Sequence, residues 1–158
     1  MREMAHAAHD KNLKVIGITE HGSGIPGTCD PFYFGNFEVI PRLIHGVEVY
    51  HGCEINALNG GTLSLDEHLI SMLNYVICGI HIQCYKDEGK DENTDYLISC
   101  MKNKKVKIVS YPDDDHTPLD YKRLVLAAKE YRVALEVNNS SIRKKDRQKN
   151  YTNFDQFV

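Results

Sequence analysis

The sequence predicts an α/β fold, with parallel strands in chain order and helices on their outer face. Short runs rich in β-branched residues recur five times, and stretches of helical composition lie between them. Strands that alternate with helices pair in parallel, because each return crossover needs a dozen or more residues. The strand ends add a third observation: each of the five runs stops on residues able to bind a ligand.

The elements follow in order. Residues 2–12 carry alanines and Met4 with no breaker and predict a helix. Residues 14–18 are short, apolar and β-branched and predict the first strand. Residues 37–44 read as a helix interrupted by Pro41, and 47–50 as the second strand. Helices over 66–73, 94–103 and 121–131 then alternate with strands over 75–80, 106–109 and 133–137. The helix at 121–131 is the clearest, with Leu124, Val125 and Ala128 on one face and Asp120 placed as its N-cap. No internal repeat or low-complexity linker interrupts this alternation, so residues 1–158 are expected to form a single domain.

Bulk composition excludes several classes of partner. A formal net charge of −3 creates no general field toward nucleic acid or an anionic membrane, so nucleic acid is not expected as a partner. Two basic runs, "KNKKVK" from Lys102 and "RKKDRQK" from Arg143, read as solvated surface. No apolar run approaches the ~20 residues of a membrane helix, and the N-terminus lacks the order of a signal peptide, so a cytoplasmic location is expected. Five cysteines, an odd number without a C-x-x-C pair, indicate reduced thiols rather than a disulfide framework or a zinc ribbon.

In parallel α/β folds the loops after the strands converge over one face, and chemistry gathers there. The first strand leads to His21; the second runs into "YHGCEIN", with His51, Glu54 and Asn56; the third stops at His81 in "GIH". The fourth yields "SYPDDDH", with Tyr111, three aspartates and His116, and the fifth "EVNNSS", with Glu136, Asn138 and Asn139. Imidazoles and carboxylates converging on one face suggest a metal site, although loops are polar in any case.

Four stretches, "KVIGITEHG", "HGVEVYHGCEINA", "YVICGIHIQ" and "RVALEVNNSS", resemble in order and spacing the PHP (polymerase and histidinol phosphatase) superfamily. Within it the likeness is to small bacterial PHP-domain phosphoesterases, from about Glu3 to about Ser141. The resemblance implies a distorted, seven-stranded TIM-barrel-like (β/α) barrel holding up to three divalent ions of zinc, manganese or iron. It further implies hydrolysis of a small phosphorylated substrate, a phosphomonoester, by metal-bound hydroxide. Under it His21, Glu54 and His81 are metal ligands and so the catalytic set, with Glu54 bridging. His51, Tyr111 and Asn138 become candidates for contacting substrate or positioning the ligands, His51 being equally readable as a solvated loop residue.

The chain also departs from that family. No H-x-H pair occurs, and the family's first strand and last strands have no counterpart, so a five-strand portion of the barrel is expected. Tyr111 stands between Ser110 and Pro112 where the family carries a histidine, and a phenol is a poorer zinc ligand at neutral pH. The string Asp114-Asp115-His116 fits no family position and reads as a turn before the next helix. His6 and His9 share a helix face expected on the outside of the barrel. Cys78 and His81, an odd number of residues apart at a strand, should point to opposite faces.

Two expectations follow. One is a metal-dependent PHP phosphatase, a hydrolase whose present chain is an incomplete form with weak or no activity and a tendency to self-associate through open barrel edges. The alternative is a non-catalytic α/β module, derived from the same fold, that binds a metal or a partner.

Overall fold

The computed structural model describes residues 1–114 and 116–140, and Asp115, Ser141 and the basic run from Arg143 lie outside the described residues. Its strands are β1 (Val15–His21), β2 (Leu43–Ile44), β3 (Val47–Leu58), β4 (Thr62–Leu63), β5 (Tyr75–Gly79), β6 (Val106–Val109) and β7 (Ala134–Leu135). The α-helices are α1 (Arg2–Asp10), α2 (Glu67–Met72), α3 (Lys90–Met101) and α4 (Tyr121–Tyr131). Five strands pair in parallel in the order β1-β3-β5-β6-β7, as the alternation of elements requires. Among the described residues β1 and β7 stand at opposite ends of this path, so the sheet is an open portion of a barrel.

One face of the sheet is apolar, and the helices cover it. Along β3, Val47, Val49, Cys53, Ile55 and Ala57 are fully buried, while Glu48, Tyr50 and Glu54 are not. Because side chains alternate with period two, the first set shares one face. There Cys53, Ile55 and Ala57 join Val76 and Cys78 of β5, Leu97 and Met101 of α3, and Leu124 and Ala128 of α4 in one core. A smaller cluster of Ala5, Ile18 and Val49 lies under α1. The opposite face carries Glu54 and is left for the site.

Helix α4 matches its expected span. Asp120 accepts a hydrogen bond from the Arg123 N–H at 3.1 Å, and Arg132 closes the helix in the left-handed conformation. Helix α3 begins at Lys90, earlier than residue 94. No described helix is long and apolar enough to cross a membrane.

The expected helix over 37–44 does not form. A 3-10 helix (Pro31–Val39) takes its first residues, with the Asp30 carboxylate accepting from Phe32 N–H at 2.9 Å. Pro41 accounts for the change: it disfavours helical backbone at Ile40, which is extended at φ −88° and ψ 129°. Leu43 and Ile44 then become β2, which returns through His45 and Gly46 to pair antiparallel with β3. Both turn residues have positive φ, 51° and 75°, the requirement of a tight type I′ hairpin. At the far end, Gly60 and Gly61, at φ 83° and 74°, reverse the chain into β4. Thus β3 spans twelve residues, far beyond the expected 47–50.

Two glycines on the open face are set by an aromatic ring. A Cβ at Gly52 would lie 2.6 Å from Cζ of Tyr75, and one at Gly17 2.4 Å from its Oη. The same hydroxyl lies 2.5 Å from Thr19 Oγ1. Gly52→Ala should therefore lower stability by about 1–3 kcal/mol, read from the urea midpoint. In a Tyr75→Ala background the loss should largely vanish; an unchanged loss would show that the ring is not its cause.

Candidate functional site

Parallel pairing brings three predicted site residues together. His21 ends β1 and is the register partner of Glu54 on β3, while Glu54 is the partner of Ile77 on β5. His81 follows β5 by two residues, where the chain turns and the Cys84 N–H donates to the His81 carbonyl at 2.9 Å. Among the described residues these are the one group in which three such side chains offer ligand atoms within 4.8 Å of one another.

The two oxygens of Glu54 divide the neighbours. Oε2 lies 3.8 Å from Nδ1 of His21, and Oε1 lies 3.6 Å from Nε2 of His81. The Ser110 hydroxyl donates to Oε1 at 3.0 Å, fixing the carboxylate from the β6 side. The two imidazoles stand edge to face with centroids 5.3 Å apart. Exposure is graded: the His21 side chain is 48% exposed, Glu54 19% and His81 11%, so the cluster opens to water at β1.

Tyr111 also reaches the cluster, its hydroxyl hydrogen-bonded to Nε2 of His81. Asn138 lines a cavity of about 380 Å³ shared with Glu54, Tyr111 and Glu136. Its backbone N–H donates to the buried Asp113 carboxylate at 3.0 Å, and its side-chain carbonyl accepts from Ser140 N–H at 2.8 Å. Asn138 thus shapes the wall of the site through its turn.

His51 is not brought to the cluster. It lies inside β3, three residues from Glu54, on the helix-covered face, and is 2% exposed. Its ring packs 4.8 Å from that of Phe37, and neither ring nitrogen has a hydrogen-bond partner among the described residues. The solvated-loop reading of His51 is corrected with it. The spacing Cys78, His81, Cys84 builds no soft clip either: Cys78 points into the core beside Cys100, and Cys84 Sγ donates to the Gly24 carbonyl at 3.1 Å. Hydrogen bonding with Cys100 and burial raise the Cys78 thiol well above its usual range, and burial pushes Cys53 up to about 12, so neither offers a thiolate at neutral pH.

Sequence reasoning places Glu136 among the strand-end residues without assigning it a role, and does not single out Ser110 or Gly79. A Cβ at Gly79 would sit 2.3 Å from Ser110 Oγ and 3.2 Å from Tyr111 Oη, so a glycine there admits both hydroxyls. Glu136 accepts from the Tyr111 N–H at 2.9 Å. The signal for all three is their place at strand ends. His116, hydrogen-bonded to Asp114, lines a second cavity of about 230 Å³ together with His81 and Tyr111.

The donor set fits a divalent ion. Ligands at 2.0–2.2 Å from a common ion stand ~3–4 Å apart, and two imidazole nitrogens with a carboxylate are a common zinc-type combination. Taking one donor atom from each side chain, the three lie within 4.8 Å of one another, near that spacing.

No family model matches the chain. It is similar to a protein of Caldicellulosiruptor bescii named "Probable phosphatase", with 37% identity over 150 residues, covering 94% of this chain and 62% of the relative. Similarly named proteins of Caldanaerobacter subterraneus and of a Thermoanaerobacter species are 40% and 38% identical over 141 residues, covering 88% of this chain and 56% and 58% of the relatives. The chain spans about three-fifths of the length of these curated relatives.

The placement of His51 has a consequence for acid stability. Burial, with a smaller contribution from the Arg42 guanidinium, holds its imidazole below the ordinary value. The unfolded imidazole titrates near about 6.5, so below that pH the unfolded chain takes up a proton that the folded chain resists. The contribution is present above about pH 6.5 and lost as pH falls. Moving from about pH 7.5 to about 5.5 should lower the urea midpoint of the wild type more than that of His51→Leu; parallel declines would remove His51 as a source.

Proposed function

We infer that the chain carries a metal-ligand set of a PHP-type, metal-dependent phosphoesterase that hydrolyses a small phosphomonoester in the cytoplasm. The observation that supports this most is the meeting of His21, Glu54 and His81 within 4.8 Å, in a chain similar to proteins named as phosphatases. A bound zinc, manganese or iron ion supplies Lewis acidity toward a phosphoryl oxygen and lowers the pKa of the attacking water. His21 and His81 would hold the ion through imidazole nitrogens, with the Glu54 carboxylate between them as the third ligand. Ser110 keeps the Glu54 carboxylate turned toward both histidines. The open side at His21 admits solvent and substrate.

Three protein ligands suffice for one catalytic ion with an exchangeable position, and they are fewer than a cluster of three ions requires. Metal uptake is therefore expected to be weak and turnover of a generic aryl phosphate slow. Metal content after loading with Mn²⁺ or Zn²⁺, measured with hydrolysis, tests this. Glu54→Gln should weaken uptake by at least ~10- to 100-fold and remove the residual hydrolysis. A wild-type chain that takes up neither ion would sink the reading, and uptake without hydrolysis would favour a metal-binding module.

Self-association belongs to the same reading. The open sheet exposes Val15 at 52% beside the edge of β1 that has no strand partner among the described residues. Exposed apolar edges of this kind associate, so light scattering should detect dimers or larger species. A monomer at high concentration would contradict it.

A further inference from the structure

A fourth side chain reaches the cluster. Tyr111 directs its hydroxyl at Nε2 of His81, the nitrogen that faces Glu54 Oε1. The two rings stand edge to face, with centroids 5.4 Å apart and an interplanar angle of 83°. Three separate features keep the phenol there. The Tyr111 backbone adopts φ 34°, a region that bulky residues enter only when the surroundings impose it. Its N–H donates to Glu136 Oε2 at 2.9 Å, holding that backbone from the β7 side. Gly79, without a Cβ, leaves the space into which the hydroxyl reaches.

We propose that Tyr111 is itself a metal ligand, binding through its phenolic oxygen the ion held by His21, Glu54 and His81, and that the resulting set favours ferric iron over zinc. The proposal rests on the metal site inferred above. On binding, the O–H bond of Tyr111 gives way to an oxygen–metal bond, and the proton leaves to solvent. No electron is transferred, because the iron is supplied as Fe³⁺. Phenolate is a hard oxygen donor and pairs best with strongly polarising cations. Two neutral imidazoles joined by two anionic oxygens, carboxylate and phenolate, suit a hard ion better than a soft one.

The full 158-residue chain, loaded with ferric nitrilotriacetate, desalted and assayed for iron, provides the test. The expected product absorbs visible light through phenolate-to-iron charge transfer, and its resonance Raman spectrum shows tyrosinate vibrations. Tyr111→Phe should abolish both signals and weaken iron binding by at least ~10-fold, by analogy with losses around other metal sites, while zinc binding changes much less. Resonance Raman on the wild type alone detects the ligation even if the variant folds poorly. Iron bound without tyrosinate vibrations would overturn the proposal and leave the metal site standing, as would vibrations that persist in Tyr111→Phe. A chain that binds neither iron nor zinc would overturn both.

Discussion

The parallel register between β1 and β3 is the constraint on which the site depends. It makes His21 and Glu54 partners across adjacent strands, and the pairing of β3 with β5 carries the chain on to His81. A slip of β3 by one residue would reverse its faces. Glu54 would then enter the core, while Cys53 and Ile55 would lose their apolar surroundings. An unpaired buried carboxylate is costly enough to exclude that arrangement. The core therefore fixes which face of the sheet carries the carboxylate, and the Ser110 hydroxyl then orients its oxygens within the site. Tight turns into β3 and out of it, at His45-Gly46 and at Gly60-Gly61, pin the same register from both ends.

Much of this could be read from the residues because the governing pattern is local. Five apolar runs separated by helical stretches specify a parallel order, and His21, Glu54 and His81 stand out as polar side chains where such runs end. The second run reads as strand only to Tyr50, since the polar and small residues of "HGCE" look like a loop. In the folded chain a polar residue can lie in the middle of a strand when one of its faces is left open. His51 and Glu54, separated by three residues in one continuous strand, fall on opposite faces for that reason. Had the strand been extended through Leu58, period two would have set His51 apart from the site.

The features that escape such a reading depend on tertiary approach. The helical appearance of residues 37–44 yields to Pro41 and to a two-residue turn whose positive φ angles the sequence "HG" permits. Ser110 and Tyr111 reach Glu54 and His81 across strands that lie far apart in the chain, and no period connects them. Gly79 has the same character: its contribution is the space it leaves, which appears only when the hydroxyls on the neighbouring strand are in place.

Tyr75 lies over two glycines on two different strands, and this has a consequence for how such a sequence can change over generations. While the ring is present, a larger residue at Gly17 or Gly52 meets it at once. Replacement of Tyr75 by a smaller side chain would have to come first, and only then could either glycine be exchanged without obstruction. The three positions thus have a permitted order of substitution, and lineages that keep the ring are held to both glycines.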